Sequence, residues 1–178
     1  MELVNIEPRE YQKSIAETAA KRNTLVVLPT GIGKTLIAVI VAVKRLEKFP
    51  DSKILIMAPT RPLNAQHKKS FEKFTTIDAE KIILITGKIQ PEEREKLYKD
   101  ATIVVATPQT IRNDLKSEKI NLKDFSFAVF DEAHRSVKDY AYTQVAKKYK
   151  EQAEHPLILG LTASPGGSIE KIDSIILQ

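Results

Sequence analysis

The sequence contains no cysteine and no tryptophan, and its three histidines, His67, His134 and His155, lie far apart. Without cysteine there can be no disulfide or thiolate metal centre, and no pair of histidines has the spacing of a zinc site. No stretch approaches the ~18 consecutive apolar residues that a membrane-spanning helix needs. The N-terminus also lacks the layout of a signal peptide. We therefore expect no membrane partner and a cytoplasmic location, or a nuclear one in a eukaryotic cell.

The 178 residues carry a net charge of +5, and 42% of them are hydrophobic. This length and composition predict one globular domain over residues 1–178. The positive charge permits a polyanionic partner without establishing one. Abundant lysine, glutamate and isoleucine favour a thermophilic source. The basic residues of the helices are interpreted as solvated surface: Lys21, Lys44, Arg45, Lys48, Lys68, Lys69, Lys147, Lys148 and Lys150.

Six apolar runs alternate with segments of helical period along the chain. The runs cover residues 24–28, 53–57, 81–85, 102–106, 126–130 and 157–161. A strand that is buried on both faces reads as a continuous apolar run, and intervening helices supply the two covering layers. The pattern predicts an α/β fold with a mostly parallel central sheet and helices on both faces.

Residues 29–35 stand between the first apolar run and a helical segment, which is the setting of a phosphate-binding loop. Backbone N–H groups, the helix N-terminus and Lys34 would attract phosphates. The Thr35 hydroxyl would lie where Mg²⁺ bridges the β- and γ-phosphates. Leu28 takes the place of the first glycine in the strict pattern G-x-x-x-x-G-K-[ST], so a ligand-free turn stays open as the alternative. The predicted loop residues are Pro29, Thr30, Gly31, Ile32, Gly33, Lys34 and Thr35.

Asp131 and Glu132 follow the fifth apolar run directly. Adjacent acids are common, but behind an apolar strand and downstream of a Gly-Lys-Thr loop they form a Walker B arrangement. Asp131 is placed to hold Mg²⁺, largely through water and together with Thr35, and Glu132 can orient the attacking water. The sequence therefore predicts ATP and Mg²⁺ as cofactors, with Lys34, Asp131 and Glu132 as catalytic residues.

Polar residues follow almost every predicted strand. The carboxyl ends of the strands line the ligand crevice of an open α/β sheet. Residues that are dispersed in the sequence are therefore expected to converge in space: 30–35, 59–61, 86–87, 107–108, 131–134 and 162–164.

Residues 131–134, Asp-Glu-Ala-His, together with 29–35 and 162–164, resemble the motifs of DEAH-type superfamily 2 helicases. Leu28 departs from the usual first residue but matches a variant found in one branch. That branch contains the archaeal Hef helicase-nucleases, the Fanconi anaemia group M translocases and, more distantly, Dicer and the RIG-I-like RNA sensors. Residues 58–63, 106–110 and 161–166 are most similar to the Hef and Fanconi M side. The resemblance covers nearly the whole chain.

The resemblance implies roles for further residues. Arg9 and Gln12 would recognise adenine, although both could be ordinary polar residues of a surface helix. One nucleic-acid strand would be held through its backbone, without base reading, by Pro59, Thr60, Arg61, Thr86, Gly87, Thr107 and Pro108. Thr107 could instead be a simple helix cap. Gln66 and His67 are assigned no role and are expected at the surface.

Thr162, Ala163 and Ser164 would couple the nucleotide state to the nucleic-acid side. Their strand is expected between the phosphate-loop strand and the Asp-Glu strand. A hydroxyl there can hydrogen-bond His134, which we therefore count among the catalytic residues.

The resemblance implies a RecA-like P-loop NTPase domain, the first of two helicase lobes, with the second lobe absent from the 178 residues. The main hypothesis is the ATP-binding lobe of an archaeal DNA helicase or translocase that acts on forked or branched DNA in repair. Its partners would be DNA, forked or single-stranded, and the second lobe. A Dicer-like or RIG-I-like RNA-directed lobe, a non-catalytic nucleotide-gated module and a small-molecule kinase are the alternatives.

Overall fold

A computed structural model describes residues 1–30, 33–137, 140–163 and 169–177. The strands are β1 (Thr24–Val27), β2 (Lys53–Met57), β3 (Ile82–Ile85), β4 (Ile103–Ala106), β5 (Phe125–Asp131) and β6 (Ile158–Thr162). The helices are α1 (Glu10–Ala19), α2 (Lys34–Lys48), α3 (Arg61–Phe74), α4 (Pro91–Asp100), α5 (Pro108–Lys116), α6 (Tyr140–Gln152) and α7 (Ile169–Ile172). Short 3₁₀ turns cover Ala79–Lys81 and Ala133–Val137, and a π-type turn, Asp173–Leu177, follows α7.

The strands form one six-stranded sheet in the order β1-β6-β5-β2-β4-β3. All the pairings between these strands are parallel. Strand β6 lies between β1 and β5, as the resemblance to helicases implied. All strands therefore end at the same edge of the sheet, and the polar residues that follow them meet there.

Two apolar clusters cover the two faces of the sheet. Ile54 and Ile56 of β2 pack into the cluster that includes α1, α2 and α3. Leu55 and Met57 pack into the other cluster, which includes Tyr98 of α4 and side chains of α5 and α6. Successive side chains of a strand point to opposite faces, so a strand covered on both sides must be apolar throughout. The predicted α/β fold with helices on both faces is confirmed.

Proline occupies the first turn of α3, α4 and α5. The first turn of a helix leaves backbone N–H groups unpaired, so a residue without N–H is tolerated there. Helix α3 begins at Arg61, and Thr60 caps it by accepting a hydrogen bond from Leu63 N. None of the helices in the described ranges is long and apolar enough to cross a membrane.

Arg45 is buried, which corrects its interpretation as solvated surface. Its Nε donates to Ser126 O at 2.9 Å and its Nη2 donates to His155 O at 2.8 Å. The guanidinium also lies 4.7 Å from the centre of the Phe49 ring. Burial lowers the pKa of Arg45. Burial of the guanidinium is possible because these two backbone carbonyls accept its hydrogen bonds. Both acceptors are distant in the sequence, so no local pattern indicates them.

Candidate nucleotide and nucleic-acid site

A cleft of about 540 Å³ opens at the edge of the sheet where the strands end. This first cleft gathers predicted residues from α1, the loop after β1, the start of α2 and the ends of β5 and β6. Its volume falls within the roughly 300–1,000 Å³ that is usual for small-molecule sites. The predicted residues that line it are Arg9, Gln12, Thr30, Gly33, Lys34, Thr35, Asp131, Glu132 and Ala163.

Lys34 begins α2 and folds back over the loop before it. Its Nζ donates to Leu28 O at 2.8 Å and to Pro29 O at 3.3 Å. The ammonium group is therefore held at the mouth of the loop by carbonyls that it can exchange for phosphate oxygens. Gly31 and Ile32, also predicted for this loop, lie outside the described residues.

Gly33 joins the loop to α2 in the left-handed region, with φ of 79°. Gln12 lies against it, because its Nε2 donates to Gly33 O at 3.5 Å while its Oε1 accepts from Arg9 N at 2.9 Å. A Cβ atom on residue 33 would stand 2.4 Å from Gln12 Nε2. Gly33 therefore has a backbone conformation that favours glycine, and a Cβ on it would force the end of the Gln12 side chain to move.

We expect Gly33→Ala to lower the melting temperature and to weaken nucleotide binding. A left-handed alanine costs roughly 1–2 kcal/mol, which corresponds to about 2–8 °C in a domain of this size, and Gln12 must also move. Gly87→Ala is the matched control, since nothing lies within 4 Å of its added Cβ. Differential scanning fluorimetry and titration with a fluorescent ATP analogue measure both effects. Equal melting temperatures for the two variants would contradict the argument from the left-handed backbone of Gly33.

The two acids at the end of β5 are held by their neighbours. Asp131 Oδ1 accepts from Glu132 N at 2.8 Å. Glu132 itself has φ of 55°, a conformation uncommon outside glycine and asparagine. One of its carboxylate oxygens lies 3.4 Å from His134 Nε2. The chain thus turns sharply after the strand, and Glu132 lines the first cleft.

His134 contacts the neighbouring strand end as well. Its Nδ1 lies 2.9 Å from the hydroxyl oxygen of Thr162, so the expected hydrogen bond is present. His134 itself is not among the residues that line the first cleft. Ser164, predicted for the same motif, lies outside the described residues.

His67 was expected at the surface, and the structure contradicts this. The residue is 2% exposed. Its Nε2 lies 2.7 Å from Asp131 Oδ2, which joins α3 to the Walker B strand. Gln66 is exposed, as expected, and lines the first cleft. Because 64 residues separate His67 from Asp131, no local pattern could have indicated their contact.

An apolar wall of the first cleft was also missed. Ile6 and Phe74 line it, together with Tyr11. Leu3 forms an antiparallel bridge with Thr75, and Val4 N donates to Phe74 O at 2.9 Å. These backbone bonds bring the N-terminal segment to the end of α3. Apolar surface near Arg9 and Gln12 suits one face of a flat heterocycle.

A second cleft of about 170 Å³ lies at the ends of β3 and β4. The residues that line it are Arg61, Asn64, Leu84, Ile85, Thr86, Gly87, Thr107 and Thr110. Four of the residues predicted to hold a nucleic-acid strand therefore meet here. Thr60 and Thr107 cap α3 and α5, each accepting a backbone hydrogen bond at 3.4 Å. Pro59, Thr60 and Pro108 adjoin these residues in the chain but do not line the cleft.

The donor set of the first cleft fits Mg²⁺ that is shared with a phosphate ligand. Among the described residues no group of three or more His, Cys, Asp and Glu side chains is arranged to hold a metal ion. Mg²⁺ is usually bound by one or two protein oxygens, with substrate phosphates and water completing its shell. The Thr35 hydroxyl and the Asp131 carboxylate, both lining the first cleft, are oxygen ligands of the required kind.

The parallel sheet, the loop before α2 and the acids after β5 define a P-loop nucleotide-binding domain. The family profile "DEAD/DEAH box helicase" matches residues 9–172. The chain therefore belongs to the DEAD/DEAH box helicase family, whose members use ATP with Mg²⁺.

A solved structure and two relatives show where the chain stands within this family. The crystal structure of the Hef helicase domain of Pyrococcus furiosus is 50% identical and matches with a TM-score of 0.93 over 99% of this chain and 37% of that one. A putative ATP-dependent RNA helicase of Methanocaldococcus jannaschii is 49% identical over 96% of this chain and 21% of its own length. The ATP-dependent DNA helicase fml1 of Schizosaccharomyces pombe is 38% identical over 97% of this chain and 21% of its own length. The likeness to Hef confirms the RecA-like helicase fold. The chain thus spans about a fifth of the length of these two curated relatives.

Proposed function

We propose that this chain is the ATP-binding lobe of an ATP-dependent DNA helicase or translocase that acts on forked or branched DNA in repair or replication-fork processing. One observation carries the proposal: helix α3 contributes residues both to the first cleft and to the second. A single helix thus adjoins a nucleotide site and a candidate strand-binding site. The likeness to the ATP-dependent DNA helicase fml1 supports DNA as the nucleic acid.

The predicted residues of the first cleft have proposed roles that their chemistry supports. Lys34 would exchange the carbonyls of Leu28 and Pro29 for phosphate oxygens, and Thr35 and Asp131 would hold Mg²⁺, largely through water. When bound, Mg²⁺ neutralises charge that develops on the phosphates. Glu132 would orient the attacking water and accept its proton. Arg9 and Gln12 would recognise adenine.

The residues proposed for coupling lie along a series of contacts that leads from the first cleft to the end of β6. Glu132 lies beside His134, and His134 lies within hydrogen-bond distance of Thr162 at the end of β6. A change at the γ-phosphate would reach Thr162 and Ala163 through these contacts. Ser164 is proposed to act with them.

The second cleft would hold the phosphates of one strand. The N-termini of α3 and α5 carry unpaired N–H groups and partial positive charge, and Arg61 adds a full charge. The hydroxyls of Thr86 and Thr107, with the backbone at Pro59, Thr60, Gly87 and Pro108, would complete a grip that reads no bases.

A complete motor is proposed to need a second RecA-like lobe from the same parent chain. Such a lobe would supply an arginine finger, and in phosphoryl-transfer enzymes such fingers are worth roughly 10³–10⁵ in rate. The isolated lobe is therefore expected to hydrolyse ATP slowly and to unwind nothing. An archaeal, thermophilic cell is the proposed source, supported by the Pyrococcus and Methanocaldococcus relatives, and the proposed site of action is the cytoplasm.

An RNA-directed lobe is the second candidate, favoured by the name of the Methanocaldococcus relative. Backbone grips tolerate both nucleic acids, and only contacts to the 2′-hydroxyl would discriminate between them. A non-catalytic nucleotide-gated module is the third candidate; it predicts the loss of Lys34, Asp131 or Glu132, and all three are present in the sequence.

The test is the affinity of the chain for labelled forked DNA, single-stranded DNA and single-stranded RNA of one sequence, measured by fluorescence anisotropy over a range of salt. We expect Arg61→Ala to weaken DNA binding and to reduce the slope of log K against log salt by about 1. Arg22→Ala is the matched control, because Arg22 is exposed and precedes β1, at the opposite edge of the sheet.

The outcomes separate the candidates. The DNA proposal is supported if the chain binds forked DNA more tightly than RNA, and if Arg61→Ala loses this tight binding while Arg22→Ala keeps it. Preference for RNA with the same Arg61 dependence favours the RNA-directed lobe. Nucleotide binding without any nucleic-acid binding would refute both proposals.

A further inference from the structure

The buried imidazole of His67 belongs to helix α3, which contributes residues to both clefts. Helix α3 starts at Arg61, which lines the second cleft, and His67 follows less than two turns later. The His67 side chain is 3% exposed and its Nε2 lies 2.7 Å from Asp131 Oδ2. The side chain therefore connects the proposed strand-binding helix with the proposed metal-holding carboxylate.

The hydrogen bonding assigns the tautomer of this ring. An ionised carboxylate only accepts, so Nε2 must donate to Asp131 Oδ2. The buried Nδ1 has no hydrogen-bond partner in the part of the chain that the structure describes. A proton on Nδ1 would be an unsatisfied buried donor, at a cost of roughly 1–3 kcal/mol. The geometry therefore points to Nε2 as the nitrogen whose proton joins the ring to Asp131.

Both oxygens of Asp131 are held from different directions. Oδ1 accepts from Glu132 N at 2.8 Å, and Oδ2 accepts from His67. The hydroxyl of Tyr142 donates to the backbone carbonyl of Asp131. The Asp131 side chain is only 13% exposed and lines the first cleft. Its plane is thus set partly from outside its own strand, by α3.

Helix α3 is itself fixed to the sheet near the second cleft. Asn64 donates to Ala58 O at 2.9 Å and accepts from Ala58 N at 3.0 Å, and its side chain is buried. This pair joins the first turn of α3 to the end of β2. Because Asn64 and His67 lie on the same helix as Arg61, a strand bound at Arg61 would act on a helix that already contacts both the end of β2 and Asp131.

We infer that His67 is a positioning residue: it orients Asp131 for Mg²⁺ and makes metal binding depend on the placement of α3. This inference rests on the function proposed above. Outer partners that orient metal ligands typically affect metal affinity by roughly 10–100-fold. Since coupling free energies are reciprocal, DNA and Mg²⁺–nucleotide should each change the affinity for the other through this contact.

The test compares two amides in the place of His67. In His67→Gln the amide nitrogen can reach Asp131 Oδ2, whereas the shorter side chain of His67→Asn cannot. A fluorescent ATP analogue is titrated in EDTA and at increasing Mg²⁺, with and without single-stranded DNA. The melting temperature of each variant is measured in EDTA without nucleotide.

We expect His67→Asn to raise the Mg²⁺ concentration at half-maximal nucleotide affinity about 10-fold or more. We expect His67→Gln to stay near wild type, and both variants to bind nucleotide in EDTA as wild type does. The DNA-induced gain in nucleotide affinity should shrink in His67→Asn. An unchanged Mg²⁺ midpoint, or a DNA-induced gain of wild-type size in His67→Asn, overturns the inference. Absence of DNA binding in the wild type would refute the proposed function instead, and the Mg²⁺ midpoint would still decide the role of His67 at Asp131.

Discussion

Replacing Glu132 with glutamine is expected to lower ATP turnover by roughly 10²–10⁴-fold, the usual contribution of a positioned general base. Glu132 lines the first cleft and is partly exposed, beside His134 Nε2 at 3.4 Å. Glutamine has nearly the same shape but cannot accept a proton from water. Binding of nucleotide should therefore change little, because the loop, Lys34 and Asp131 are left intact.

Turnover is measured as phosphate release, with and without forked DNA, for the chain and for a version extended through the proposed second lobe. Glu80→Gln is the control for a carboxylate-to-amide change, since Glu80 is exposed in the 3₁₀ turn before β3. If forked DNA stimulates phosphate release only in the extended protein, and Glu132→Gln abolishes this stimulation while Glu80→Gln does not, the result supports the helicase-lobe proposal. The extended protein could instead bind DNA but release phosphate no faster than its Glu132→Gln variant. That result would refute the helicase lobe and favour the non-catalytic nucleotide-gated module.

The loop residues and the two acids of the first cleft could be predicted from the sequence because they follow strands. Lys34 and Thr35 follow the first apolar run, and Asp131 and Glu132 follow the fifth, so each pair carries its own structural context. A parallel sheet places all these strand ends at one edge. The confirmed position of β6 between β1 and β5 came from the resemblance to helicases, since periodicity sets no strand order.

The residues that were misplaced are polar side chains buried by distant partners. Arg45 is covered because Ser126 O and His155 O accept its hydrogen bonds. His67 is covered because Asp131 accepts from it. Burial of a polar group is tolerated only when its hydrogen bonds are made. Those acceptors belong to other elements, so helical periodicity alone assigns such residues to the surface.

The sequence also failed to predict the apolar wall of the first cleft, for a similar reason. Ile6 precedes α1 and Phe74 ends α3, and they meet because backbone atoms of Val4 and Phe74 hydrogen-bond to each other. A single isolated bridge leaves no alternating pattern in the sequence. Contacts of this kind become visible only once the chain is folded.

Replacing Lys34 with alanine is expected to weaken ATP binding by ~30-fold or more. Hydrogen bonds to charged groups contribute about 2 kcal/mol each, and ~1.4 kcal/mol corresponds to tenfold in affinity. In the free protein the ammonium is bonded to Leu28 O and Pro29 O, at 2.8 Å and 3.3 Å. It therefore stands next to the loop before nucleotide arrives and needs only a short movement to reach a phosphate.

Lys44→Ala is the matched control, because Lys44 lies on the same helix and is exposed away from the first cleft. Titration with a fluorescent ATP analogue, repeated with the corresponding adenosine probe, separates phosphate contacts from adenine contacts. Lys34→Ala should lose affinity for the ATP analogue and keep its affinity for adenosine, while Lys44→Ala should bind both as wild type does. If Lys34→Ala bound ATP normally, the residues after β1 would not be a phosphate site, and the roles proposed for Thr35, Asp131 and Glu132 would lose their common ligand.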